Sequence, residues 1–225
     1  MLGSNFSVII TAGGIGKRMG SAIPKQFLPI NGKPILLHTI EKFYEFNPAI
    51  QIVLTLPEDW KSYWLNQLAE LNVNIPHQIV SGGTERYDSI KNALMCCSGD
   101  YIAVHDGVRP LINHQTLERC FAALEIYNCV IPIVPVKESL RKLDGENSTA
   151  VPRKDFVLVQ TPQCFRRSEL IRAYDQPFQP YFTDDASLAE ACGYPIHLVE
   201  GNEENIKITT GTDLILAEHL LKCDK

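Results

Sequence analysis

Acid is missing from the front of this chain. None of its 26 aspartates and glutamates occurs before Glu41, although the formal net charge is −5. Lys17, Arg18 and Lys25 stand in that acid-free stretch, so an acidic protein keeps one region positive, as a site for a polyanion such as a triphosphate would require. Long apolar runs are also lacking, and none approaches the roughly 20 residues of a membrane-spanning helix. The opening MLGSNFS has no basic segment followed by an apolar one, so no signal peptide is expected, and the expected compartment is the cytoplasm. The seven cysteines, Cys96, Cys97, Cys120, Cys129, Cys164, Cys192 and Cys223, form an odd set without C-x-x-C spacing. Most lie in apolar runs, which favours buried free thiols over a disulfide framework or a zinc site. A basic arm and aromatic-interleaved lysines are absent, which argues against nucleic acid as a partner.

What is present begins with Ser7 to Phe27, SVIITAGGIGKRMGSAIPKQF. Val8, Ile9 and Ile10 are consecutive β-branched residues, the pattern of a strand buried on both faces of a parallel sheet. Ala12, Gly13, Gly14 and Gly16 then remove side chains where a ligand could approach the main chain, and glycine admits the positive φ that turns N–H groups toward an anion. Two standard phosphate motifs fail here. A dinucleotide fingerprint needs glycine where Met19 stands, and a Walker loop needs glycine at Thr11 and Ser or Thr at Arg18. A plain tight turn with surface cations remains open on the turn alone.

Downstream, strand and helix patterns alternate. Strands are expected over residues 51–56, 77–80, 101–105, 129–134, 157–160, 196–199 and 206–209, and Thr161-Pro162-Gln163 is expected to end the fifth of these. Helices are expected from Pro34, along Trp60, Trp64 and Leu68, along Tyr87, Ile90 and Leu94, and along Leu117, Phe121 and Leu124. Others are expected over 168–174, over 184–191 with Thr183 as N-cap, and over 212–221. A second glycine turn, Gly82-Gly83, follows the 77–80 strand. Two such turns at neighbouring strand ends imply a bipartite ligand, phosphates on the first and base on the second. The tryptophans read as core.

Asp106 ends a buried strand, where it could hold a hard cation that bridges phosphate oxygens or simply cap the next turn. His105 reads as a hydrogen-bonded structural residue, Asp184 and Asp185 as a helix start or a metal pair. Lys207, flanked by Ile206 and Ile208, faces solvent or a ligand. Residues 139–155 read as a polar hairpin turning at Asp144-Gly145. The whole is an α/β fold, a doubly wound, mostly parallel sheet in one domain over residues 1–225, with residues 137–156 protruding as an arm.

The first loop, A-G-G-x-G-x-R-M followed by P-K-Q, is similar to the signature of sugar-phosphate nucleotidyltransferases. GGTERYDS at 82–89, VHDGVRP at 104–110, VPVKES at 134–139, QTPQ at 160–163, TDDAS at 183–187 and EGNEENIKIT at 200–209 narrow the likeness. Together they resemble the 2-C-methyl-D-erythritol 4-phosphate cytidylyltransferase family, in order over nearly the whole chain. The resemblance implies a Rossmann-like nucleotidyltransferase that uses CTP and Mg²⁺ to cytidylylate a polyol phosphate. It implies that Arg18 and Lys25 meet the triphosphate and Lys207 the α-phosphate, while main-chain N–H groups from Ala12, Gly13, Gly14 and Gly16 bind the β and γ oxygens. Gly82, Gly83 and Ser89 would hold the cytidine. Asp106 would bind the metal and position the acceptor, which Arg109, Ser139 and Arg153 would hold. In the family the arm crosses to a second subunit, so a homodimer is implied in which Ser139 and Arg153 arrive from the partner. Ser139 stands where many relatives carry threonine, Gly107-Val108 where alanines are usual, and Thr84 where aspartate is common. A ribitol-5-phosphate cytidylyltransferase and a CTP-sensing module without turnover remain alternatives.

Overall fold

The computed structural model describes residues 5–14 and 23–223. Gly16, Lys17 and Arg18 lie outside the described residues.

An eight-stranded sheet organises the chain. Its parallel half is β1 (Phe6–Thr11) at the centre, with β4 (Gln51–Leu56) and then β5 (Gln78–Ser81) on one side and β6 (Tyr101–Asp106) on the other. Val8, Ile9 and Ile10 have no solvent exposure, as their consecutive branching requires. Beyond β6 the sheet is mixed. β11 (Gln163–Arg166) enters antiparallel between β6 and β7 (Cys129–Pro135), and β12 (His197–Glu200) pairs parallel on the far side of β7. β10 (Val157–Val159) lies on the same side of β7 as β11, farther along it.

Helices cover both faces. Val8, Ile10, Ile52 and Leu54 pack on α1 (Ile35–Phe46), α2 (Lys61–Glu70) and α4 (His114–Ala123). Ile9, Val53, Ile102 and Val104 pack on α3 (Arg86–Leu94), α5 (Arg167–Asp175) and α6 (Asp185–Ala191). A third cluster joins Ile30, Ile35, Val108 and Ile208 to Ala217 of α7 (Gly211–Cys223), which fastens the end of the chain beside β6. Trp64 is fully buried, and Trp60 stacks on Phe27, so the tryptophans are core. A short ladder, β2 (Pro29–Ile30) with β3 (Lys33–Pro34), closes on Asn31-Gly32, both at positive φ.

Residues 139–155 form the expected hairpin, β8 (Leu140–Asp144) with β9 (Asn147–Val151), turning at Gly145 with φ +58°. It pairs with no strand of the main sheet, and Leu143 at its tip is 77% exposed.

Three local expectations change. The strand expected over 206–209 does not form: Ile208 N–H donates to Val108 O, and the Ile206 N–H turns back on Glu204 O. Thr161-Pro162-Gln163 interrupts the sheet without ending it, because Gln160 N–H still bonds Pro132 O and pairing resumes at Gln163. The N-cap of α6 is Asp184, not Thr183, since Asp184 Oδ1 accepts from Ser187 N–H at 3.0 Å in a capping box.

Candidate active site

Parallel β1, β4, β5 and β6 bring their carboxyl ends to one edge, and β1 and β6 lie side by side with Thr11 opposite Asp106. The chain departs from β1 to β4 on one side and β6 on the other, the place where open α/β sheets bind ligands. A cleft of about 400 Å³ opens there.

One wall is the first glycine turn. Neither Gly13 nor Gly14 takes positive φ, contrary to the expected use of glycine here. Their value is room: among the described residues a Cβ on Gly14 would meet nothing within 4 Å, and one on Gly13 only Ser89 Oγ at 3.7 Å. Pro24 opens a single 3-10 turn, Lys25–Phe27, that works as a bracket. Phe27 is buried among aromatics, and Gln26, 1% exposed, donates to Ala12 O at 2.7 Å. Lys25, just before these anchors, points into the cleft and donates to Ile208 O at 2.9 Å.

The opposite wall is the second turn and the start of α3. Gly83 is required by packing, since a Cβ would fall 2.2 Å from Asp88 Cβ, inside the capping box that Glu85 and Asp88 make. Ser89 Oγ accepts from Gly83 N–H at 2.9 Å and donates to Glu85 O at 3.1 Å, which ties the turn to its helix. Arg86 reaches from this wall to Asp185 Oδ2 at 2.6 Å, and Tyr174 Oη donates to Asp185 Oδ1 at 2.5 Å. The Asp184–Asp185 pair is therefore a cap and a buried ion-pair partner.

The floor is electrostatic. Asp106 Oδ2 accepts from Arg109 Nε at 3.0 Å and faces Lys207 Nζ at 3.2 Å. Burial pushes the Asp106 carboxyl up, but Lys207, Arg109 and Arg86 outweigh it and hold the group well below the usual carboxylate range. His105 is fully buried, and that burial lowers its pKa to about 4. Its Nε2 bonds Arg109 O and its Nδ1 the Thr161 hydroxyl, both at 3.1 Å, a pattern that suits a neutral structural ring.

Ala12, Gly13, Gly14, Lys25, Gly83, Ser89, Asp106 and Lys207 thus line one cleft. Gly82 sits just behind it, its N–H on Leu56 O. Arg109 lies under Asp106, with Nη1 spent on Asn205 O at 2.7 Å. Ser139 and Arg153 of the same chain do not line the cleft; both are exposed at the base of the hairpin, where Arg153 donates to Lys137 O. Reading the sequence assigned no role to Gln26, Thr55 or Arg86. Their signals were present, Gln26 in the PKQ run and Arg86 in GGTERYDS, but what they hold is set by tertiary contacts.

Among the described residues no three His, Cys, Asp or Glu side chains cluster as a metal cage, and no helix is long and apolar enough to cross a membrane. The six cysteines whose side chains are described are free.

A family profile described as 2-C-methyl-D-erythritol 4-phosphate cytidylyltransferase matches residues 6–223. The chain is 48% identical over 216 residues to the enzyme of that name from Bacteroides fragilis, covering 96% of this chain and 99% of that one. It is 39% identical to the one from Bacillus mycoides over 224 residues, covering 98% and 99%. The crystal structure of the Thermus thermophilus enzyme superposes with a TM-score of 0.77 at 30% identity, covering 97% of this chain and 99% of that one. The 4-diphosphocytidyl-2C-methyl-D-erythritol synthase of Anaerococcus prevotii superposes with a TM-score of 0.83 at 26% identity, covering 98% and 99%.

Proposed function

This chain belongs to the 2-C-methyl-D-erythritol 4-phosphate cytidylyltransferase family, and from that premise we propose that its cleft transfers a cytidylyl group from CTP to 2-C-methyl-D-erythritol 4-phosphate. The products are 4-diphosphocytidyl-2-C-methyl-D-erythritol and pyrophosphate, a step of non-mevalonate isoprenoid biosynthesis in the cytoplasm. The observation that carries the reading is the meeting of Lys25, Lys207 and Asp106 with bare main chain from two turns in one cleft.

An oxygen of the acceptor phosphate attacks the α-phosphorus of CTP, the bond to the β-phosphate oxygen breaks, and pyrophosphate leaves with its electron pair. The attacking oxygen is already anionic, so no base is needed, which agrees with a neutral, buried His105. The difficulty is to bring two anions together and to accommodate charge on a five-coordinate phosphorus. Lys25, held by the Pro24–Phe27 bracket, meets the triphosphate beside the main chain of Gly13 and Gly14; the Ala12 N–H, expected to join them, is taken by Thr55 O at 3.1 Å. The resemblance assigns Gly16 and Arg18, outside the described residues, to the same triphosphate. Lys207 meets the α-phosphate from across the cleft. Gly83 and Ser89 line the wall that takes the cytidine, while Gly82 behind them holds the turn through its N–H on Leu56 O.

Asp106 fits as a partner for Mg²⁺, because it stays ionised beside the phosphate subsite. With no side-chain cage nearby among the described residues, this carboxylate is the protein group that would hold the ion. When bound it supplies positive charge to the phosphate oxygens. Arg109 stiffens Asp106 from below and orients the acceptor.

The acceptor side is completed by a second subunit. The hairpin stands clear of its own sheet, and Phe156, Val157, Leu158 and Val159 at its base are 40–53% exposed, a surface that suits another copy. Ser139 and Arg153 would reach the partner's cleft by this arm, and the planar guanidinium can bind two phosphate oxygens at once. Mixing an inactive Arg153→Ala protein with an inactive Lys207→Ala protein should restore part of the activity, since each mixed dimer holds one intact site and one doubly impaired site. No recovery after exchange of subunits would overturn the shared site.

The substrate reading is tested by pyrophosphate release from CTP and Mg²⁺ with methylerythritol phosphate or ribitol 5-phosphate. Rapid release with the first alone is expected. Preference for ribitol phosphate, or CTP binding without release for either, would overturn it.

A further inference from the structure

Lys207 rides on a segment with no strand or helix to stiffen it, residues 201–209, yet its ammonium is held 3.2 Å from Asp106 on a different element. The structure assigns that placement to Asn205: we propose that this buried amide is a positioning residue that sets the distance between Lys207 and Asp106, an inference that rests on the transfer reading above.

Asn205 is fully buried two positions before Lys207. Its Nδ2 donates to Thr161 O at 2.8 Å. The hydroxyl of the same Thr161 accepts from Asp106 N–H at 3.1 Å, so one threonine grips the end of β6 and is gripped by Asn205. The main chain of Asn205 works in the same direction. Its carbonyl accepts from Arg109 Nη1 at 2.7 Å, and Arg109 Nε donates to Asp106 Oδ2 at 3.0 Å. Two separate routes therefore run from Asn205 to Asp106, one through Thr161 and one through Arg109, and the Lys207–Asp106 contact closes both into rings.

Other hydrogen bonds hold this segment elsewhere. Gly201 N–H bonds Ile133 O at 2.8 Å, Asn202 Nδ2 donates to Leu111 O at 3.0 Å, Gln160 Nε2 bonds Asn202 O at 2.9 Å, Thr209 N–H bonds Asp213 Oδ2 at 2.9 Å, and Ile208 is fixed from Lys25 Nζ and Val108 O. Those contacts fasten the segment before and after Lys207 but do not tie it to the strand that carries Asp106. Asn205 alone among the described side chains of residues 201–209 bonds Thr161. Its Oδ1 is buried and takes no hydrogen bond from the described residues, so the residue is kept for its N–H donor and its place, not for a saturated amide. Aspartate there would set a carboxylate against the Thr161 carbonyl, and leucine would leave that carbonyl unpaired.

Displacement of a reacting group by about 1 Å can cost up to roughly 100-fold in rate. Asn205→Ala is therefore expected to lower kcat, per folded molecule, by about 10- to 100-fold. The decisive comparison is a double-mutant cycle on kcat with Lys207→Ala. If Asn205 acts through Lys207, Asn205→Ala should reduce kcat by less than about threefold in the Lys207→Ala background, because the group it aims is gone. A purely structural role would lower the yield of folded protein and leave kcat per folded molecule unchanged; that result overturns the proposal, as does a loss that multiplies in full with that of Lys207→Ala. Asn205→Ser, too short to reach Thr161 but still polar, takes the place of alanine if the alanine variant does not accumulate. If wild-type protein releases no pyrophosphate, the transfer reading fails, and the cycle is then read from CTP affinity, with the same additivity criterion.

Discussion

Removing Lys207 separates catalysis from stability more cleanly than any other change to the cleft. Its side chain is 44% exposed and its ion pair with Asp106 spans 3.2 Å. A pair so open to solvent contributes at most about 1 kcal/mol once screening is counted. Asp106 also keeps Arg109 Nε at 3.0 Å, so its carboxylate is not stranded by the loss. In a chain of 225 residues about 1 kcal/mol corresponds to about 2–4 °C in Tm, and Lys207→Ala should melt within that margin of wild type. Turnover should behave differently. A preorganised cation facing charge that grows in the transition state supplies about 2.7–4 kcal/mol, so kcat should fall by about 10²- to 10³-fold. The assay is continuous pyrophosphate release at saturating CTP and acceptor, with a melting curve on the same preparation. A variant that turns over within about threefold of wild type would remove Lys207 from the mechanism. A loss of rate matched by a loss of folded protein would make its role structural.

Other substitutions test other walls. Asp185→Ala strips the partner from Arg86, whose side chain is 35% exposed, and from the buried Tyr174 hydroxyl, and should destabilise the fold by about 1–3 kcal/mol, read by denaturant unfolding; an unchanged stability would contradict a structural role for this carboxylate. Gly14→Ala adds a methyl that meets no atom of the described residues within 4 Å, so stability should hold while the KM for CTP rises about tenfold or more. An unchanged KM would mean that no ligand lies against that main chain. His77 accepts from Trp64 Nε1 at 3.0 Å and its Nδ1 bonds Ile75 O at 2.8 Å, and burial lowers its pKa below 6.5. The unfolded ring takes up its proton first, so this stability is present above pH 6.5 and is lost as pH falls below it. His77→Gln should flatten that acid-side decline in Tm, and an identical decline in both proteins would exclude His77 as a source.

The parts of the fold that follow from local chemistry were legible in the residues themselves. Val8 to Ile10 declared a central strand, Asp144-Gly145 a hairpin turn, and the two glycine turns the edge where ligand binds. β11 was hidden because Pro162 ordinarily ends a strand, whereas here the pairing merely pauses and resumes. Ile206-Lys207-Ile208 mimicked strand alternation, but Ile208 is buried against Val108 and α7 while the N–H groups seek other partners. Gly83 reads in the sequence as space for a ligand, and the space is taken by Asp88. The Arg86–Asp185 pair joins positions 99 residues apart, and no local pattern announces it. The cations Lys25 and Lys207 were legible through resemblance; that they share a cleft is a fact of the fold.

The central claim is that this cleft joins one phosphate ester to the α-phosphorus of another and expels pyrophosphate. Phosphorus NMR of the protein with CTP, Mg²⁺ and methylerythritol phosphate tests it most directly. The account predicts a new pair of coupled diphosphate resonances growing in step with free pyrophosphate. Growth of CDP and orthophosphate instead, or an unaltered CTP spectrum with active-site residues intact, would contradict it.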